Sequence, residues 1–241
     1  MSKKYIVFSI ITILFLVISY NSINVLAMSQ TVLEENYMCD ETTGWKHSTP
    51  KHHMAQKSTA YYMSSESMKA LYQTYVTNGA NLWGSNINLS YSTSGPGYIY
   101  AINDSSSSAT AATSTSSGSD GITTSWYIEI NSANFDDGSA EGKKRTLAHE
   151  LGHVYGLGDL YISDASSQIM YGYYSASKNV TTSDINGMSV VTETHTHAGY
   201  YPKTYEKYSN TKHKVRCSTC KSYHYELHTS TSYCANCGYS E

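Results

Sequence analysis

Leu147-Ala148-His149-Glu150-Leu151-Gly152-His153-Val154-Tyr155-Gly156-Leu157-Gly158-Asp159 decides how this chain is read. Leu147, Leu151 and Val154 recur at helical spacing and can pack inward. His149 and His153 are four apart, so on a helix they share one face. Two imidazoles so placed can bind one Zn²⁺ at about 2.0–2.1 Å each. Glu150 sits beside the first histidine, where a carboxylate can take a proton from a water on the metal. Gly156 falls where a helix that turns back sharply must end. Asp159 follows six residues after His153, and a bend at Gly156 would bring its carboxylate round as third ligand.

The helix is expected from about Gly142 to Tyr155. Upstream, Met68, Leu71, Tyr72, Tyr75 and Val76 mark one face of another helix, with Asn78-Gly79 as its stop. Asn86 to Tyr91, Tyr98 to Ile102 and Ile122 to Asn131 read as strands, the last with Trp126, Ile128 and Ile130 on one face. Residues 105–119 are almost wholly Ser, Ala, Thr and Gly and read as a flexible loop. Thr181-Thr182-Ser183-Asp184 has the form of a capping box opening a final helix. The fold class expected is α/β in the α+β sense, a mixed sheet with an active-site helix and a C-terminal helix.

The chain of 241 residues begins with Lys3 and Lys4, an uncharged run from Ile6 to Ile18, and Val25-Leu26-Ala27. That is the pattern of a secretory signal peptide over 1–27, too short in its apolar run to span a bilayer. Export makes the expected location extracellular, with no membrane contact once the signal is cleaved. Cleavage would leave 14 basic against 19 acidic residues, a net −5. With no basic run, nothing points to nucleic acid as a partner. Residues 28–58 read as an N-terminal arm or propeptide, 59–194 as the catalytic domain and 195–212 as a linker.

Cys217-x2-Cys220-x13-Cys234-x2-Cys237 gives residues 213–241 the spacing of a zinc ribbon, four thiolates around one structural ion. Two disulfides are the competing reading, and His213 or His228 could replace a cysteine. Cys39 is isolated and reads as an idle thiol, with a latency role as its alternative. Asp104, Asp120, Asp136 and Asp137 are loop acids able to bind Ca²⁺, though none is assigned to it.

The pattern H-E-x-x-H-x-x-G-x-x-D from His149 to Asp159 resembles the metzincin metallopeptidases. It is similar to the matrixin-like branch and, with Asp as third ligand, to the snapalysins. Most metzincins have His in that last position. Ser167-Gln168-Ile169-Met170-Tyr171-Gly172 looks like the family's Met-turn, with Met170 as an apolar floor beneath the zinc. Astacins and serralysins carry a Tyr two after that Met, where this chain has Gly172. The resemblance covers about residues 60–193. It implies a five-stranded twisted sheet, an edge strand that binds substrate in extended form, and proteolysis. The expected protein is thus a monomeric secreted zinc endopeptidase acting on proteins or peptides. Glu150 would be its catalytic base and His149, His153 and Asp159 its catalytic-zinc ligands. A secreted binding module with structural zinc sites is the alternative. A different zincin topology would take its third ligand from Asp164 or Asp184.

Overall fold

The computed structural model describes residues 53–118, 121–161, 163–173, 177–193, 203–217, 223–228, 230, 233–234 and 236–240. The signal-like segment, most of the N-terminal arm with Cys39, Asp120 and Cys220 lie outside these residues.

A five-stranded sheet carries the fold, in the order β2-β1-β3-β5-β4. Its strands are β1 (Ser58–Met63), β2 (Asn88–Tyr91), β3 (Gly97–Ile102), β4 (Ala111–Ser117) and β5 (Thr123–Asn131). β1 runs parallel to β2 and β3, and β3 parallel to β5, whereas β4 is antiparallel to β5 at the sheet's edge. Trp126, Ile128 and Ile130 are buried on one face of β5. That is the alternation expected of a strand packed on one side. Tyr62, Tyr98, Tyr100 and Tyr127 form a ladder of rings across neighbouring strands, with centroids 4.9, 5.4 and 5.7 Å apart.

Four helices are described: α1 (Glu66–Leu82), α2 (Ser132–Phe135), α3 (Ala140–Tyr155) and α4 (Thr182–Val191). Ser65 caps α1 through Met68 N, Ser139 caps α3 through Gly142 N, and Thr181 and Asp184 form the reciprocal capping box of α4. Each cap satisfies backbone donors that a helix start otherwise leaves without partners.

Four sequence expectations are corrected here. Gly79 does not stop α1, which runs on to Leu82. A side chain at Gly79 would press within 2.9 Å of Ala148 N and 3.0 Å of Lys144 O, so this glycine is where α1 touches the backbone of α3. Trp83 Nε1 donates to Ala148 O at 2.9 Å and fastens the same contact. Leu71 is 61% exposed, so the inward stripe of α1 is Tyr72, Val76 and Gly79. Residues 111–117 form β4, because main-chain pairing to β5 holds a strand whose side chains supply almost no apolar surface. The presumed linker 195–212 contains β6 (Lys203–Lys207) and the start of β7 (Lys212–Cys217). With β8 (Tyr223–Leu227) they make an antiparallel sheet in the order β6-β7-β8, and β9 (Tyr233–Cys234) and β10 (Tyr239–Ser240) make a two-stranded one.

The tail of the arm also belongs to the domain. Met54 N donates to Tyr155 O at 3.0 Å and Ala55 N to Val191 O at 2.9 Å, joining the ends of α3 and α4.

Candidate metal centre

α3 places its histidines by burying Leu147, Leu151 and Val154 completely, which turns His149 and His153 toward an open cavity. Gly156 then ends the helix in the left-handed region, at φ 114° and ψ 10°. Gly156 N donates to His153 O at 3.0 Å and Leu157 N to Gly152 O at 2.9 Å. This paired closure is the Schellman motif, and it favours glycine at the turning residue. The reversal brings Leu157 O to 2.8 Å from His153 Nδ1 and carries Asp159 back to the histidines.

Three donor atoms meet there. His149 Nε2 and His153 Nε2 are 3.1 Å apart. Asp159 Oδ1 lies 3.1 Å from the first and 3.5 Å from the second. A tetrahedral ion about 2.0–2.1 Å from each ligand gives edges of about 3.3 Å, so the triangle fits zinc. Each Nδ1 faces a carbonyl, Ile169 O at 2.8 Å for His149 and Leu157 O for His153. A carbonyl only accepts, so both Nδ1 atoms donate, and in the neutral rings both Nε2 atoms present lone pairs. Two lone pairs and a carboxylate oxygen around one point call for a cation.

In the metal-free chain a proton meets that demand. Burial works against charge on His153, yet the hydrogen bond to Asp159 and the charges of Glu150 and Asp159 carry its pKa up to about 9. Burial likewise works against ionised Asp159, but the hydrogen bonds from His149 and His153 hold it well below the usual carboxylate range.

Glu150 is buried, and Thr113 Oγ1 on β4 donates to its Oε2 at 2.7 Å. The sheet edge thereby fixes the acid beside the histidines. Thr113, His149, Glu150, His153, Asp159 and Lys178 all line the cavity, which has a volume of about 810 Å³. That is the range of small-molecule sites.

Met170 is buried against α3. Its sulfur occupies the space where a side chain at Gly152 would stand, one residue before His153. Asp184 does not point at the metal site. Completely buried, it accepts from Ile169 N at 3.2 Å and Met170 N at 3.4 Å, and from Thr181 N and Oγ1 at 2.8 and 2.7 Å. Burial pushes its carboxyl pKa up against the pull of those donors. Asp184 therefore fixes the turn whose Ile169 O orients His149. Asp164 is exposed and, among the described residues, takes a 3.4 Å contact from Ser163, so it is Asp159 that joins the histidines there.

Three contributors escaped the sequence reading. Thr113 lay in the presumed loop. Tyr161 Oη donates to Asp159 Oδ2 at 3.0 Å and steadies the oxygen that the triangle leaves over. Lys178 donates to Tyr171 O. Burial lowers its pKa, opposed by the charges of Asp159 and Glu150. No periodic pattern announces such contacts: Thr113 reaches Glu150 across 37 residues, and Tyr161 and Lys178 meet their partners through loop geometry. Tyr171 and Tyr173 meet edge to face with centroids 5.6 Å apart, Tyr173 being exposed.

Of the four predicted thiolate ligands, Cys234 is buried and Cys237 half-buried near it. Cys220 and the side chain of Cys217 lie outside the described residues. The loop acids gather no cation site among the described residues: Asp104 accepts from Ser106, and Asp136 from Tyr72. No helix among the described residues is long and apolar enough to cross a membrane.

No family model matches the chain, and no curated protein matches it in sequence. Among solved structures it is similar to a chain of the "GM1 bound form of the ECX AB5 holotoxin". The identity is 15% and the TM-score 0.43, over 62% of this chain and 85% of that one. The matched structure is described as a holotoxin, and no family model or curated protein supplies the expected family. This corrects the metzincin assignment. Membership in a matrixin-like or snapalysin-like branch is withdrawn, together with the secreted endopeptidase that the resemblance implied.

Proposed function

We propose that this protein is a zinc-dependent hydrolase that opens an amide or ester carbonyl with water. The observation that carries this reading is the triangle of His149 Nε2, His153 Nε2 and Asp159 Oδ1, with edges of 3.1 to 3.5 Å, beside a buried carboxylate and an open cavity. Three protein ligands leave a fourth position, as catalytic zinc sites do. A purely structural site would close that position and has no use for an acid at Glu150.

Zinc held there would lower the pKa of a water to roughly 7 and polarise a carbonyl oxygen. The protein's own residues do the rest. Glu150, aimed by Thr113, accepts the proton of the attacking water and returns it to the leaving nitrogen or oxygen. Asp184 and the carbonyls of Ile169 and Leu157 hold the imidazoles in the tautomer that can ligate. Lys178, with Lys143 and Arg145, adds positive charge to a cavity whose lining also carries the acids Glu150 and Asp159. The basic start and apolar run before Ala27 support an exported enzyme.

The test is turnover of a panel of fluorogenic amides and esters by the zinc-loaded chain and by Glu150→Gln. We expect metal-dependent hydrolysis in the first. The second should keep its zinc and lose about 10²–10⁴-fold in rate. Undiminished turnover by a zinc-loaded Glu150→Gln protein would refute the assignment.

A further inference from the structure

The C-terminal strands bring together four side chains that the cysteine spacing alone does not group. His213 lies on β7 and is 1% exposed. His228 follows β8 directly, and its N–H donates to Thr211 O at 2.9 Å, which lays it beside His213. Their rings stack at 5.5 Å and 29°. Cys234 ends β9 with no exposure, and Cys237 stands in the turn before β10. Gly238, left-handed at φ 70°, closes that turn by donating to Cys234 O at 2.9 Å. Such a knuckle presents two thiolates to one point.

The distances suit an ion. Cys234 Sγ is 3.3 Å from His213 Nδ1, and Cys237 Sγ is 3.5 Å from His228 Nε2. All four donor atoms lie within 4.8 Å of one another. A tetrahedron with Zn–S of about 2.3 Å and Zn–N of about 2.05 Å has sulfur–nitrogen edges of about 3.6 Å. Two thiolates would also balance the charge of a divalent ion in a place where an unbalanced charge is costly.

We propose that His213, His228, Cys234 and Cys237 hold one structural zinc ion as a two-nitrogen, two-sulfur site, in place of the four-thiolate set. With no open corner, this site ties β7, the end of β8 and the β9 turn together. Strands this short bury too little apolar surface to hold one another unaided.

The experiment uses the full chain with His149→Ala and His153→Ala, so that it does not depend on the hydrolase reading. That protein should retain one zinc per chain after desalting. His213→Ala or His228→Ala should each release it, and Cys217→Ser with Cys220→Ser should keep it. Loss of zinc from the double serine variant with retention in both alanine variants overturns the proposal, as does a starting protein with no zinc. In the chain with native His149 and His153, His213→Cys guards against misfolding. Loaded with cobalt, it should hold its metal while the thiolate-to-cobalt absorption rises about 1.5-fold, from two sulfurs to three. An unchanged spectrum overturns the proposal.

Discussion

The two clusters differ in how each is finished. At α3, three donors of nitrogen and oxygen stand on a helix and the loop that returns from it, with a fourth side open to a cavity. In the C-terminal strands, four donors of nitrogen and sulfur close around their own centre, two of them almost completely buried. The first has an outer layer of support in Thr113, Tyr161, Asp184 and two main-chain carbonyls. Hydrogen bonding of this kind fixes the tautomer and orientation of metal-ligating imidazoles. On the proposed readings, the open geometry serves chemistry and the closed geometry serves shape.

The contrast breaks most readily at Glu150. Removing its charge should cost the about 10²–10⁴-fold already stated while leaving the zinc count unchanged, whereas no variant of the C-terminal cluster should alter turnover by the folded enzyme. Asp184→Asn comes next. It touches no ligand but releases the turn that orients His149, and zinc affinity should fall about 10–100-fold in a competition titration with a chromophoric chelator.

A third prediction uses pH. A group whose pKa is raised on folding stabilises the fold below its unfolded value and loses that contribution as pH climbs through the folded value. His153, raised to about 9, should therefore make the metal-free chain less stable between about pH 6.5 and 9 in urea melts. Zinc must displace the same proton, so affinity at the α3 site should rise over that window by up to about tenfold per pH unit. A falling slope for the metal-free form and a flat one for the zinc-loaded form are the expected signature over this window, and parallel slopes would separate His153 from the metal. The smallest effect belongs to Tyr161→Phe, which removes one hydrogen bond to Asp159. At about 0.5–1.5 kcal/mol it should weaken zinc binding roughly 2- to 12-fold by titration calorimetry, without touching Glu150.

The sequence was most informative where one element contains the whole signal. The helix around His149, the glycine turn at Gly156 and the cap at Thr181 each rest on contacts within a few residues, and each stands as expected. The half-buried strand with Trp126, Ile128 and Ile130 was legible for the same reason. β4 was not, because a strand of Ala, Thr and Ser carries no apolar alternation and is held by its neighbour's main chain. Gly79 misled because a helix interior that must approach another backbone looks like a helix stop. Tyr161 and Asp184 act through the loop after α3 or across to the next helix, and His213 and His228 come together only when β7 and β8 pair. None of these has a period or a spacing to betray it.

Gly152 carries a consequence for motion. A glycine inside a helix weakens it by about 0.5–1 kcal/mol relative to alanine, and here the sulfur of Met170 forbids any larger residue. The last turn of α3 is thus its softest, and it holds His153 and the hinge to Asp159. Without an ion to clamp both ends of that turn, it should open more often than the turns before it. Amide protons of residues 153–157 should therefore exchange faster in the metal-stripped protein, while those around Leu147 keep their protection.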